Sequence, residues 1–314
     1  MNYLPLKDRV VLDDVSKSIP SGFSGVDEVL NGGFRLASTY LIAGVAKCGK
    51  SSLLMNIVNY HLGRGRKVAY FDTELTEYDF VTRMAGVYFN QKTDTVNTNS
   101  QYSEDWLDIN NEIFSYSNLK DPVTGRELSM KDLLVLAESF VANGAEIICF
   151  DNLTTFSNNL INGKQGWELL NSALDSVIKF AKKHSVICFC VIHTKRGQTY
   201  KETPQGIRDL AKSGNVGQIF NESITVVAKP SVDDIYGGSS KTHVDGAFLI
   251  WRPLQFYPDN HLNRQTLVIL EQFRNNRDGA VLMDFDGEKK IFTEIEPEVT
   301  GEVAEKIFNS GKDI

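Results

Sequence analysis

The chain has 314 residues, with 33 Lys and Arg against 40 Asp and Glu, a formal net charge of -7 and 42% hydrophobic residues. These values are ordinary for a folded soluble chain and exclude collagen-like, coiled-coil and wholly disordered architectures. No run approaches the roughly 18–20 apolar residues that cross a bilayer. The opening MNYLPLKDRVVLDDVSK lacks a signal peptide's apolar core, so a cytosolic location is expected. The length fits two domains or one large α/β domain with flanking pieces. An acidic balance argues against nucleic-acid binding over the whole surface and leaves room for a local basic patch.

In chain order, short β-rich runs alternate with longer amphipathic ones, which predicts a mostly parallel sheet flanked by helices. Tyr40–Ala43 reads as a strand, followed by a glycine loop and a helix over Ser51–Leu62 with Leu53, Leu54, Ile57, Val58 and His61 on its buried side. Lys67–Phe71 is a second strand and Tyr78–Asn90 a second helix, and the polar stretch 92–101 is expected as a surface loop. Ser129–Ala142 is an amphipathic helix, Glu146–Phe150 a third strand, Trp167–Lys183 a helix and Val186–Ile192 a fourth strand. Residues 194–215 are polar and basic, and 231–245 form a second loop rich in glycine and serine. Strand-like runs follow at Ile224–Ala228, Ala247–Trp251, Thr266–Leu270 and Ala280–Phe285, and an acidic tail begins near Glu296. Cys149, Cys188 and Cys190 lie in apolar runs and read as buried. Cys48, in the glycine loop, reads as a candidate for oxidation.

The strongest motif is Gly44-Val45-Ala46-Lys47-Cys48-Gly49-Lys50-Ser51, a full match to GxxxxGK[ST] between a strand and a helix. Glycines let backbone N–H groups turn inward around phosphates, at a helix N-terminus whose dipole favours anions. Lys50 would reach the β- and γ-phosphates, Ser51 would ligate Mg²⁺, and Ser52 completes the phosphate-binding set. An accidental match has a chance on the order of one per cent in a chain of this length, lower still in this context. Asp151, at the end of AEIICFD, is placed to hold the Mg²⁺ water shell, although many strands end in Asp simply because it suits a turn. Glu74 and Asp72, ending the second strand, compete as the base that orients water. His193 ends the fourth strand, where it could report whether a γ-phosphate is present. Arg274 and Arg277 follow a late strand. They are an ordinary solvated turn by composition, or an arginine finger supplied across a subunit interface.

Taken in order, these residues resemble the RecA-like motor core of ring-shaped DnaB-type replicative helicases, in the branch with phage helicases and mitochondrial Twinkle. The segment IPSGFSGVD (19–27) with LNGG (30–33) is similar to the family's "IPTGF…LD…GG". YFDTEL (70–75) is similar to its strand ending in "SLEM", ICFDNL (148–153) to "VIDNL", and CVIH (190–193) to its phosphate-sensor strand. DLAKSGNVGQ (209–218) resembles "DLRESGSIEQ", and FLIWRP (248–253) with QFRN (272–275) resembles the close of the core. The resemblance covers about residues 18–295. It implies a linker over 1–18, an ATPase core over 19–295 and an acidic tail over 296–314, with no room for the helical N-terminal domain of DnaB. It also implies ATP and Mg²⁺ as cofactors, Glu74 as catalytic base and Arg274 as the finger. Gln272 stands where the family has a Lys, and Arg277 is the alternative source of that charge. A homo-oligomeric ring, a hexamer in the family, would translocate on single-stranded DNA gripped by Lys195, Arg196, Lys201 and Arg208, with primase or other replisome proteins as partners. A RadA- or KaiC-like ATPase and a non-motor, nucleotide-gated replication accessory share the same nucleotide site and remain alternatives.

Overall fold

The order of elements follows from where the chain can bury continuous apolar runs. In the computed structural model, residues 18–117, 128–158, 166–194, 199–202, 224–227, 230–235, 243–252, 264–271 and 278–295 are described. Strand β1 (Ser38–Gly44), β4 (Ile147–Asp151) and β2 (Val68–Asp72) are buried at every position, and β5 (Ile187–His193) at every position but its last. Strands apolar on both faces belong in the middle of a sheet covered on both sides. They lie there: the nine-stranded order is β11-β10-β9-β8-β1-β5-β4-β2-β3.

Alternate residues of each strand feed opposite cores, as the two-residue period requires. Leu41 and Ala43 face the layer made by α6 (Met130–Ala142), α7 (Leu153–Asn158) and α8 (Gly166–His184). Tyr40 and Ile42 face α1 (Ser24–Val29), α2 (Lys50–Leu62) and α3 (Glu77–Tyr88). The chain therefore leaves β1 toward one face and β4 toward the other, and such divergence opens a crevice at the carboxyl ends of the strands.

Strands β1, β5, β4, β2 and β3 (Phe114–Ser117) run parallel, as does β8 (Gly246–Trp251) beside β1. An antiparallel wing continues from β8 through β9 (Gln265–Glu271) and β10 (Gly279–Asp286) to β11 (Ile291–Glu294). The mostly parallel α/β sheet read from the sequence is the one observed, and the runs from Thr266 onward form the wing.

Several expectations need correction. The stretch 92–101 is not a loop: it holds α4 (Thr93–Thr98) and the start of α5 (Gln101–Asn110). Its composition is poor for a helix, but Val96 and Trp106 are buried and the Trp106 indole N–H donates to Asn59 Oδ1 at 3.1 Å. Tertiary packing outweighs propensity here. Within the expected polar stretch 194–215, β6 (Thr199–Glu202) pairs antiparallel with β7 (Ile224–Val227). Cys48 is fully buried, and burial pushes its thiol pKa up, which removes it as an exposed oxidation site. Among the described residues no helix is long and apolar enough to cross a membrane.

Candidate active site

The glycine loop leaves β1 at Gly44, whose Cα is so closely approached that an added Cβ would sit 2.6 Å from Cys48 Sγ and 2.9 Å from the Ile250 carbonyl. The loop then bends through two left-handed residues, Lys47 at φ 63° and Gly49 at φ 109°. This coil directs backbone amides inward just before α2 starts at Lys50. Lys50 is 5% exposed, and its Nζ donates to the Val45 carbonyl at 2.8 Å, folding the ammonium over the loop's concave side.

Strand register brings the remaining groups to the same edge. His193 pairs with Gly44 across β5 and β1, and Asp72 pairs with Asp151 across β2 and β4. A cavity of about 360 Å³ lies over these ends, lined by Lys50, Ser51, Ser52, Glu74, Asp151 and His193 among others. The sequence-derived nucleotide set therefore converges on one cleft. Lys201 falls on β6. Lys195, Arg196, Arg208, Arg274 and Arg277 lie outside the described residues.

Asp151 accepts from the Tyr70 hydroxyl at 2.7 Å and from Ser51. Burial raises its pKa, against the lowering effect of the Tyr70 and Ser51 hydrogen bonds. Asp72 lies beside it, and its pKa is pushed up to about 7, first by burial and then by the Asp151 charge. Asp72 and Glu74 differ in direction. Asp72 is 2% exposed and turns back to accept from the Glu74 and Leu75 backbone N–H groups at 2.7 and 2.6 Å. It shapes the turn, while Glu74 extends into the cleft with its side chain 56% exposed. Glu74 Oε1 accepts from the Asn152 amide and lies 3.8 Å from His193 Nε2. An ionised carboxylate facing solvent in a phosphate-sized cleft can accept a proton from water.

The donors suit a hard divalent cation held through one carboxylate, one hydroxyl and phosphate oxygens. Among the described residues no cluster of three His, Cys, Asp or Glu could serve as an all-protein cage. Ser51 and Asp151, already in contact, are the side chains that could hold Mg²⁺ together with a triphosphate.

Several lining residues were not read from the sequence. Asn152 follows Asp151 and bridges Glu74 to His193. Arg83 enters from α3, and Phe285 and Lys290 from the β10–β11 hairpin. The hairpin is clamped to α2 by Asn56, which donates to the Lys290 carbonyl at 2.8 Å and accepts from Phe292 N–H at 3.1 Å. The periodicity of α3 could have flagged Arg83, whereas the hairpin residues arrive only through tertiary folding.

Residues 18–294 match the family model described as the DnaB-like helicase C-terminal domain. The chain belongs to that family. Among solved structures, an ATPase domain aligns with TM-score 0.69 at 12% identity, covering 93% of this chain and 96% of that one. A DnaB-like replicative helicase, studied with its interactions with primase, aligns with TM-score 0.69 at 12% identity over 89% of this chain and 64% of the other. A KaiC-like protein from the hyperthermophilic archaeon Pyrococcus horikoshii OT3 aligns with TM-score 0.58 at 12% identity, over 89% and 99%. At such identities the likeness establishes the RecA-like fold. No curated protein sequence matches the chain.

Proposed function

We propose that this DnaB-like chain is the ATP-driven motor of a replicative helicase. The observation that carries the reading is the convergence of Lys50, Ser51, Glu74, Asp151 and His193 on one cleft at the carboxyl edge of the sheet. Residues 19–295 form the ATPase core, between a linker at 1–18 and an acidic tail at 296–314. The loop amides from Gly44 to Ser52 cradle the phosphates and Lys50 pairs with their outer oxygens. Ser51 and Asp151 would hold Mg²⁺, which would supply charge neutralisation to the bound triphosphate. Glu74 orients the attacking water and takes its proton. His193 senses the γ-phosphate from the end of β5, the strand that leads into the basic segment.

In this reading copies of the chain form a ring, a hexamer by family analogy, with ATP between protomers. Arg274, or Arg277 in its place, reaches the phosphates from the neighbouring copy. Lys195, Arg196, Lys201 and Arg208 contact the phosphates of single-stranded DNA, a local and salt-dependent interaction compatible with an acidic chain. Primase or other replisome proteins are its partners, in the cytoplasm. The family match and the helicase structural neighbour support this reading over a KaiC-like ATPase, which shares the fold at a lower TM-score.

The test is ATP hydrolysis with and without single-stranded DNA, alongside unwinding of a 5′-tailed fork. DNA-stimulated turnover with strand separation is expected. Hydrolysis indifferent to DNA, with no unwinding, would move the chain to the non-motor alternative.

A further inference from the structure

Asn152 is 2% exposed, and its polar groups are held from several sides. Its backbone N–H donates to Thr73 Oγ1 at 3.1 Å, and its Oδ1 accepts from the Thr155 backbone N–H at 2.8 Å. A backbone N–H can only donate, so the Thr155 contact fixes which end of the amide is oxygen. The –NH₂ end must then face the cleft, where it meets two groups at once, Glu74 Oε1 and His193 Nε2, the latter at 3.1 Å. Two N–H bonds serve two acceptors. Nε2 of His193 is therefore the accepting ring nitrogen in this arrangement, and the ring hydrogen is on Nδ1.

This tautomer constrains the proposed nucleotide cycle. A nitrogen accepting from Asn152 cannot donate to a phosphate oxygen at the same time. For His193 to hydrogen-bond a γ-phosphate through Nε2, it has to leave Asn152. One amide hydrogen is then buried without an acceptor, a state that costs free energy until a new partner is found. The nearest acceptor is the carboxylate it already shares, so the same event pulls on Glu74.

We propose that Asn152 is a positioning residue that ties the placement of Glu74 to the occupancy of His193, so that the base is set for water only when a γ-phosphate has engaged the sensor. The inference rests on the nucleotide reading above and adds the regulation of that site. Asp151 beside it holds the metal position, and Thr155 holds the amide, so the link is carried by the –NH₂ group alone.

The decisive variant is Asn152→Asp, which keeps an oxygen for the Thr155 N–H and removes only the bridging –NH₂. Asn152→Ala is the companion that adds no charge. Steady-state ATP hydrolysis is measured for wild type, both variants, His193→Ala and the double variant Asn152→Ala/His193→Ala. Binding of a fluorescent non-hydrolysable ATP analogue and of fluorescent ADP is measured in parallel. The expected result is a fall in kcat of about tenfold or more with KM within about threefold. The preference for the triphosphate analogue over ADP should shrink in both Asn152 variants. The double variant should fall no further than the worse single, because the two residues act as one unit. Unchanged kcat in Asn152→Asp, or losses that multiply in the double variant, would overturn the link. A wild-type chain that binds neither nucleotide overturns the underlying nucleotide reading instead.

Discussion

The Tyr70 hydroxyl donates to Asp151 Oδ2 at 2.7 Å, and both side chains are shut off from solvent. Partners of this kind orient a ligating carboxylate, and their loss typically costs 10–100-fold in metal affinity. Tyr70→Phe keeps the ring against Phe80 while removing the donor. The Mg²⁺ concentration needed for half-maximal nucleotide binding should rise by about tenfold, with little change in metal-free binding. A titration of fluorescent nucleotide against Mg²⁺ checks it, and a superimposable curve would show that Tyr70 only packs.

Glu74 has the exposure expected of the base, whereas Asp72 is spent on the turn. Glu74→Gln should retain ATP binding and lose at least about 100-fold in turnover, the usual contribution of a positioned base. Equal hydrolysis in the variant would remove Glu74 from that role. Asp72→Asn should act differently, loosening the 73–75 turn and lowering the melting temperature as well as turnover.

Gly49 sits at φ 109°, and a Cβ there would lie 2.9 Å from the Phe292 ring, which itself stacks on Phe285 at 4.5 Å. Gly49→Ala is expected to destabilise by roughly 1–3 kcal/mol through backbone strain and to weaken nucleotide binding. Gly63 supplies the control: it sits at φ -61°, and a methyl added there would come no closer than 3.4 Å to its nearest neighbour, the Asn59 carbonyl oxygen. Gly63→Ala should leave both properties close to wild type. Thermal melts with nucleotide titrations separate the two.

His61 is fully buried on α2, and neither ring nitrogen has a hydrogen-bond partner among the described residues. Burial, with the charges of Arg66 and Arg64, lowers its pKa from 6.5 to about 4. The unfolded chain therefore binds this proton more readily, and the stability His61 allows is present above about pH 6.5 and lost as pH falls toward 4. The upper bound is roughly 2 kcal/mol at pH 5. Asp72 works in the opposite direction. Its pKa rises from 3.8 to about 7, so its contribution is present below 3.8 and lost as pH rises through 7. The two partly cancel between pH 4 and 6.5, so the informative quantity is a difference. His61→Leu should gain stability relative to wild type as pH drops from 7 to 5, measured by denaturant unfolding. A constant difference across that range would rule out His61 as the titrating group.

Much of this architecture was legible in the residues because its central strands are uninterrupted apolar runs, as in Ile147–Asp151 and Ile187–His193. Each ends in a polar group that lines the cleft, so strand ends and the glycine loop together pointed to one edge of the sheet. What escaped depended on long-range packing. Helices α4 and α5 hang on Val96 and Trp106 in an otherwise polar stretch, and β3 has only four residues. Asn152 was not singled out by its sequence, and only the fold brings Glu74 and His193 to its amide. Asp72 and Glu74 differ in side-chain direction, which spacing alone does not encode.

The most direct test of the central claim is calorimetric titration of ATP into the purified chain, with Mg²⁺ and then with the metal chelated, repeated for Lys50→Ala. Saturable binding that weakens without Mg²⁺ and disappears in Lys50→Ala is the predicted result. Heat indistinguishable from dilution for the wild-type chain, or binding untouched by the Lys50 substitution, would contradict it.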